Sequence, residues 1–231
     1  MLSERQEKIL EILIREYIKE AEAISSALLA QKYGGDISSA TVRNEMMALE
    51  AAGFIYQPHT SAGRIPTDVG YQYFLQKFFK NKNLNAKQKE SLDELKNQNW
   101  TDLSTRRREE AKRLAELSGE AVMVAFEQFD LFYTGISNLF SKPEFQNNYE
   151  LVRNLSNLID HLDEVLSKIF YEMDEEIKIF LGDTNPFHPE CAAIISVFYE
   201  GDKRCVVGIL GPKRMDYEKN IALLSALKHK S

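Results

Sequence analysis

Residues 38–66, SSATVRNEMMALEAAGFIYQPHTSAGRIP, restrict what this chain can fold into more than any other stretch, because they couple a short amphipathic helix to a hairpin through one glycine. At the 100° per residue of an α-helix, Val42, Met46 and Leu49 fall within about 60° of one another and define an inward stripe. Ala40, Asn44 and Met47 then point the opposite way, with Thr41 and Arg43 on the flanks. A solvated helix ordinarily fills its outer face with Lys and Glu, whereas this one presents a small residue, a hydroxyl, a guanidinium and a carboxamide. Those groups suit base edges and phosphates: Arg pairs with guanine, Asn with adenine, and a methyl group meets thymine. Ser38 or Ser39 fits the N-cap position, which leaves amide donors and a positive helix end to face a phosphate. Gly53 closes the helix as its C′ residue. Residues 54–57 predict one strand and residues 64–66 the start of its return, with Pro58, His59, Thr60, Ser61, Ala62 and Gly63 as the tip. A tip holding His59, Thr60 and Ser61, followed by Arg64 and free of carboxylates, suits a phosphate backbone or a minor groove. Either element alone is equally well a plain amphipathic helix or a solvated loop. In this order they predict a winged helix-turn-helix.

The residues before this stretch read as support. Ser3 with Gln6 forms a capping box for a helix to about Lys19, with Ile9, Leu10, Leu13, Ile14 and Tyr17 on its core-facing side. Ser25 or Ser26 caps a second helix through Leu28, Leu29 and Tyr33, and Gly34-Gly35 supplies the break before the third. Three helices in some fifty residues, the last two joined by a short glycine turn, follow the helix-turn-helix plan.

Charge argues the other way. The chain carries a formal net charge of −6, and residues 1–75 hold seven basic residues against ten carboxylates, a net of −3. Domain-wide basicity, the usual footprint of a nucleic-acid binder, is missing. Seven of the ten acids lie at Glu4, Glu7, Glu11, Glu16, Glu20, Glu22 and Asp36, ahead of the candidate helix, and exposed charges are screened beyond about 10 Å. The expectation is a salt-dependent, site-specific binder with modest affinity for random duplex.

With 231 residues, 44% of them hydrophobic and 28% charged, the chain has the composition of a soluble globular protein of one large or two modest domains. No apolar run approaches the roughly 18 residues of a membrane span, and Met1-Leu2-Ser3-Glu4 leads straight into a charged helix without a signal peptide, so a cytoplasmic protein that avoids membranes is expected. Cys191 and Cys205 match no zinc spacing and read as small buried hydrophobes.

The run from Leu2 through Leu75, with SSATVRNEMMALEAAG and above all QPHTSAGRIPTDVGY, resembles the N-terminal domain of the heat-inducible transcription repressor family, HrcA. That resemblance implies a repressor that binds an inverted-repeat operator of double-stranded DNA upstream of chaperone and chaperonin genes, acts as a homodimer, has the chaperonin as co-regulator, and is released on heat stress. It implies no cofactor.

After Pro66, Thr67 or Asp68 caps a helix with Tyr71, Phe74, Leu75, Phe78 and Phe79 on one side, an aromatic stripe that reads as packing rather than a ligand site. From Lys80 the chain turns polar, and residues 76–113 hold eleven basic residues against six acids, a net of +5. This reads as a linker or exposed helix, with Arg106-Arg107-Arg108 either on a solvated face or adding phosphate contacts. The helical pattern resumes at Ala111 and continues through Leu114, Leu117 and Val122, and Pro143 ends the segment around Leu139 and Phe140. A long amphipathic helix is predicted from Leu151 through Leu155, Leu158, Ile159, Leu162 and Leu166 to Ile169. Residues 177–181, 192–199 and 205–210 read as strands, Glu200-Gly201-Asp202-Lys203 as a hairpin turn, Gly211-Pro212 as the end of the sheet, and Tyr217, Ile221 and Leu224 as a terminal helix. The class is α+β: an N-terminal winged helix-turn-helix over residues 1–79, a polar basic linker or helix over 80–110, and a second domain over 111–231. The family resemblance continues in GISNLFSKPEF and SVFYEGDKRCVVGILGPKRMDY and implies a GAF-like dimerisation and regulatory domain there. It is reduced, since residues 123–137 are too short for the sheet the family carries at that point.

No enzyme is expected. His188, Glu190 and Cys191 are the best catalytic or metal-binding constellation, but two further ligands or an orienting partner for a thiolate are lacking, and a proline-rich loop entering a strand is the reading adopted. Gly211-Pro212-Lys213-Arg214 reads as turn and cap rather than as an anion site. The candidate DNA-binding residues are therefore Ser38, Ser39, Thr41, Arg43 and Asn44 on the helix and His59, Thr60, Ser61 and Arg64 on the wing. Two rivals are a winged-helix regulator with a small-molecule ligand in its C-terminal domain and a module whose winged helix binds another protein.

Overall fold

A capping box opens the chain in the computed structural model, which describes residues 1–35, 37–126, 130–146, 148–173, 177–200 and 203–228. Ser3 Oγ accepts the Gln6 amide at 3.3 Å, and Gln6 Oε1 accepts that of Ser3 at 3.0 Å. Helix α1 (Glu4–Glu20) follows and buries Ile9, Leu10, Leu13 and Ile14 completely, an apolar burial of roughly 2 kcal/mol per side chain. Ala21, in the left-handed region at φ 58°, ends it. Ser25 caps α2 (Ser26–Tyr33), and Gly34 at φ 69° turns the chain toward α3 (Ser39–Ala51). Strands β1 (Ile55–Tyr56) and β2 (Ile65–Pro66) pair antiparallel, and Thr67 caps α4 (Asp68–Lys77), which buries Tyr71 and Phe74. These elements make a unit spanning Met1–Lys80.

The hairpin strands are shorter than their sequence suggests, because the residues at their ends have other partners. Arg64 forms a β-bridge with Ile24, exchanging both backbone hydrogen bonds at 2.9 Å, so the wing is also stitched to the segment between α1 and α2. Gly63 makes that approach possible: a Cβ there would lie 2.3 Å from the Ile24 carbonyl oxygen. At the base of the wing, the Phe54 and Tyr73 rings meet edge to face with centroids 5.3 Å apart.

The second unit spans Asn81–Ser231. It contains α5 (Ala86–Lys96), α6 (Leu103–Ser118), β3 (Ala121–Ala125), β4 (Leu131–Thr134), α7 (Ile136–Phe140), α8 (Pro143–Gln146), α9 (Tyr149–Asp160), α10 (Leu162–Glu172), β5 (Lys178–Leu181), β6 (Cys191–Glu200), β7 (Lys203–Pro212) and α11 (Tyr217–Leu227). The five strands form one antiparallel sheet in the order β4-β3-β7-β6-β5. Register puts Met123, Gly208 and Ile195 in one row, and their side of the sheet packs on Leu139, Phe145, Leu155, Leu166 and Phe170. The opposite side, through Val124, Val207 and Phe198, faces the layer of α6 and α11. Burial on both faces explains why β6 and β7 are nearly continuous apolar runs rather than alternating ones.

Several expectations for this half change. The polar stretch expected as a linker or exposed helix carries α5, which buries Leu92 and Leu95 and packs on α6 and α11, so from Asn81 onward these residues belong to the second unit. Val122 is strand, because Gly119 at φ 72° stops α6 three residues earlier. Residues 123–137, too short for the fuller sheet that the family resemblance implies, still hold the end of β3 and all of β4, which pair as a hairpin; only residues 127–129 of this segment lie outside the described ones. Pro143 starts a short helix instead of ending one. The long amphipathic helix is two, broken at His161, and the apolar period runs across the break because both pieces face the same core. Gly211 and Pro212 stay inside β7, paired with Ala192 and Cys191. Glu200 and Lys203 pair across the β6–β7 connection, while Gly201 and Asp202 of the expected turn lie outside the described residues.

Candidate nucleic-acid interface

Ser38 rather than Ser39 caps α3: its Oγ accepts the Thr41 amide at 3.1 Å and lies 2.9 Å from Thr41 Oγ1. With Val42, Met46 and Leu49 turned inward and at most 4% exposed, Ala40, Arg43, Asn44 and Met47 face outward, Met47 at 57%. Arg43 has no hydrogen-bond or ion-pair partner among the described residues, so its guanidinium is available to an outside acceptor. Both carboxylates of the same helix are tied down. Glu45 accepts from Arg5 at 3.3 Å and from Gln6 at 3.1 Å, and Glu50 is held by residues of the wing.

The wing tip is exposed at His59, Thr60 and Ser61. Its shape is set by Gln57, whose side-chain amide donates to the Thr60 carbonyl at 3.0 Å and to the Ala62 carbonyl at 2.9 Å. A cleft of about 320 Å³ runs between the tip, the start of α2 and α3, lined by Ser25, Ser26, Arg43, Thr60 and Ser61 among others. Its hydroxyls and guanidinium are the donor set a phosphodiester accepts from. Arg64 is placed differently from the other candidates: its Nε and Nη2 both reach Glu50 Oε2 at 2.9 Å, and its side chain is only 15% exposed.

Much of the acidity of this unit is held in ion pairs. Glu7 accepts from Tyr73 Oη at 2.6 Å and lies 3.4 Å from Lys77, and the Tyr73 bond holds its carboxyl below the usual range. Glu16 sits between Lys19 and Lys32 and is lowered chiefly by Lys19, and Glu11 pairs with Arg15. With Glu45 and Glu50, at least five of the ten carboxylates of residues 1–75 have cationic partners.

Of the three consecutive arginines of the second unit, Arg108 is half-exposed and the other two turn inward, and all three pair with carboxylates. Arg107 is 2% exposed, pairs with Glu110 and stacks 4.7 Å over the Phe198 ring; Arg106 reaches the same Glu110 at 3.0 Å, and Arg108 pairs with Asp130 at 2.7 Å. His188 Nδ1 accepts the Glu190 amide at 3.1 Å, a loop contact. Cys191 is fully buried, and desolvation pushes its thiol up to about 12, the wrong direction for a nucleophile. No group of three or more His, Cys, Asp or Glu able to hold a metal is found among the described residues, and none of the described helices is long and apolar enough to cross a membrane. Cavities of the second unit include an apolar one of about 140 Å³ lined by Ala125, Leu131, Leu166 and Phe170 and a wider cleft of about 390 Å³ lined by Val165, Ile169, Met173 and Phe180.

Sequence reasoning missed Gln57, Glu50, Ser25 and Ser26. A polar residue at the strand end before Pro58 and a carboxylate fourteen residues before Arg64 were visible, but their meeting depends on the wing folding back on α3.

A family model described as the winged helix-turn-helix transcription repressor, HrcA DNA-binding, matches residues 1–79, and one described as the HrcA protein C-terminal domain matches residues 65–221. The heat-inducible transcription repressor HrcA of Symbiobacterium thermophilum is 35% identical over 130 residues, 56% of this chain but only 38% of that protein. The protein of the same name from Thermodesulfovibrio yellowstonii is 25% identical over 337 aligned positions, covering 98% of this chain and 96% of the relative. Since this chain has 231 residues, at least a hundred of those positions face a gap in it, so the relative's ends are matched while interior sequence is absent. A crystal structure titled as a hypothetical protein shares the fold at a TM-score of 0.72 and 19% identity, covering 97% of this chain and 96% of that one.

Proposed function

The chain belongs to the HrcA family of winged-helix repressors, and on that footing we propose that it binds an inverted-repeat operator as a homodimer and represses heat-shock genes, chaperone and chaperonin operons among them. The two copies of α3 enter successive major grooves, where Thr41, Arg43 and Asn44 meet bases or phosphates and Ser38 and Ser39 lie at the positive end of the helix. His59, Thr60 and Ser61 of the wing contact the backbone and fix register. The reduced GAF-like second domain supplies the dimer contact, and the net charge of −3 on the first 75 residues is the reason a single copy binds weakly. Heat releases the repressor from its operator in the cytoplasm, with the chaperonin as co-regulator.

The observation that carries this reading is the outward face of α3: a guanidinium with no partner among the described residues and a carboxamide beside a carboxylate-free wing tip, with both of the helix's own carboxylates bonded inward. A mobility-shift titration with an inverted repeat selected from a random duplex pool, competed by unselected duplex, tests it. A complex that survives competition and weakens steeply with salt is expected; equal binding to both duplexes overturns sequence-specific repression.

A further inference from the structure

Glu50 is a carboxylate on the helix proposed to enter the major groove, where a negative charge weakens binding unless it does something else. Its surroundings show what that is. Oε2 accepts Nε and Nη2 of Arg64 at 2.9 Å each, and Oε1 accepts the backbone amide of Gln57 at 3.1 Å. Gln57 in turn holds the Thr60 and Ala62 carbonyls of the tip. Arg64 and Gln57 flank the tip, so one side chain of α3 grips both strands of the wing. On the far side the wing is fixed by the Ile24–Arg64 bridge and by the close approach at Gly63.

We infer that Glu50 is a positioning residue for operator binding: it is a strut that sets the wing at a fixed distance from the recognition helix, and Arg64 acts through it rather than through a phosphate. This rests on the DNA-binding reading above. The chemistry leaves little substitute for the carboxylate, because both oxygens receive donors. An amide at this position presents its NH₂ to either Arg64 or the Gln57 amide, donor against donor, in whichever orientation it sits.

The sign of one substitution separates the two roles. If Glu50 were only a carboxylate near DNA, Glu50→Gln would remove a repulsive charge and tighten the complex. As a strut its loss weakens operator binding about tenfold and removes hydroxyl-radical protection where the wing lies, while the ranking of operator variants mutated under α3 stays as in the wild type. Arg64→Lys, which keeps the charge but not the paired donors, behaves like Glu50→Gln, and Glu50→Gln/Arg64→Ala is no weaker than the worse single variant. Additive losses, or tighter binding by Glu50→Gln, overturn the inference. Hydrogen exchange of the Gln57 amide in the free full-length protein reads the strut without DNA: faster exchange in Glu50→Gln is expected, and an unchanged rate overturns it whether or not the wild type binds an operator. Failure of the wild type to shift any inverted repeat, with Gln57 exchange accelerated, instead removes the DNA-binding reading and leaves the strut as wing architecture only.

Discussion

Arg43 is the single cation of α3, whereas Arg107 lies in the middle of three consecutive arginines, and their fates are opposite. The isolated arginine has no partner among the described residues, while the clustered one is buried against Glu110 and Phe198. What separates them is the local supply of carboxylates. On α6, Glu110 lies three and four residues from Arg107 and Arg106, the spacing at which a helix brings side chains together, and Asp130 arrives beside Arg108 on the β3–β4 connection. On α3, Glu45 and Glu50 are drawn away by Arg5 and Arg64. Density of positive charge along a sequence is therefore a poor guide to a phosphate-binding surface in this protein; which cations remain unneutralised after folding is the useful quantity.

The sharpest way to break this contrast is Arg107→Ala. Removing the buried guanidinium leaves Glu110, itself 1% exposed, with Arg106 as its remaining cationic partner and the Phe198 ring uncovered, a loss of about 2 to 3 kcal/mol from the second unit in denaturant unfolding. A loss below 1 kcal/mol would mean that Arg107 behaves like a surface cation after all.

The second unit has another buried charge, and it makes stability depend on pH. Glu120 sits against Gly211 with Lys142 Nζ 3.1 Å away, yet burial outweighs that lysine and raises its carboxyl to about 7. The folded form thus holds a proton that the unfolded chain releases near the ordinary 4.5. This contribution is fully present below that value and is lost as pH rises through about 7, a span of about 3 kcal/mol. Urea midpoints should fall between pH 5 and pH 8 in the wild type, and Glu120→Gln should flatten the profile; equal slopes in both would assign the pH dependence elsewhere.

On the first unit the effects move from stability to binding. Arg43→Ala or Asn44→Ala is expected to cost about 1 to 3 kcal/mol of operator affinity and to relax base preference at one position, with unfolding unchanged because neither side chain packs inward. Retained affinity in both variants would remove α3 from the interface and leave the contrast with Arg107 as one of burial alone. The smallest effect is Ser38→Ala, which deletes the cap on the Thr41 amide and should lower the stability of the first unit by about 1 kcal/mol in thermal unfolding.

Much of the first unit was legible because its signals are local. Caps at Ser3, Ser38 and Thr67, the inward stripe of Val42, Met46 and Leu49, and the glycines at 34, 35 and 53 each act within one turn of chain, and each lies where periodicity and turn chemistry put it. The second unit was less legible for a physical reason. A strand buried on both faces has no alternation to betray its ends, so β7 runs on through Gly211 and Pro212, and a helix break such as His161 leaves no gap in an apolar period that continues toward the same core.

By itself, the sequence determined the order of elements in the first unit, the two faces of α3 and the family to which the chain belongs. The tertiary structure alone decided the partners of the charged residues. Arg64, a candidate for phosphate contact by its place on the wing, is held by Glu50 fourteen residues away, Arg107 of the basic run is buried against Glu110 and Phe198, and residues 81–110 pack as α5 and the start of α6 in the second unit. Hydrophobic periodicity is a property of one segment, but an ion pair requires two segments to meet, and which ones meet is set by the packing of the whole unit.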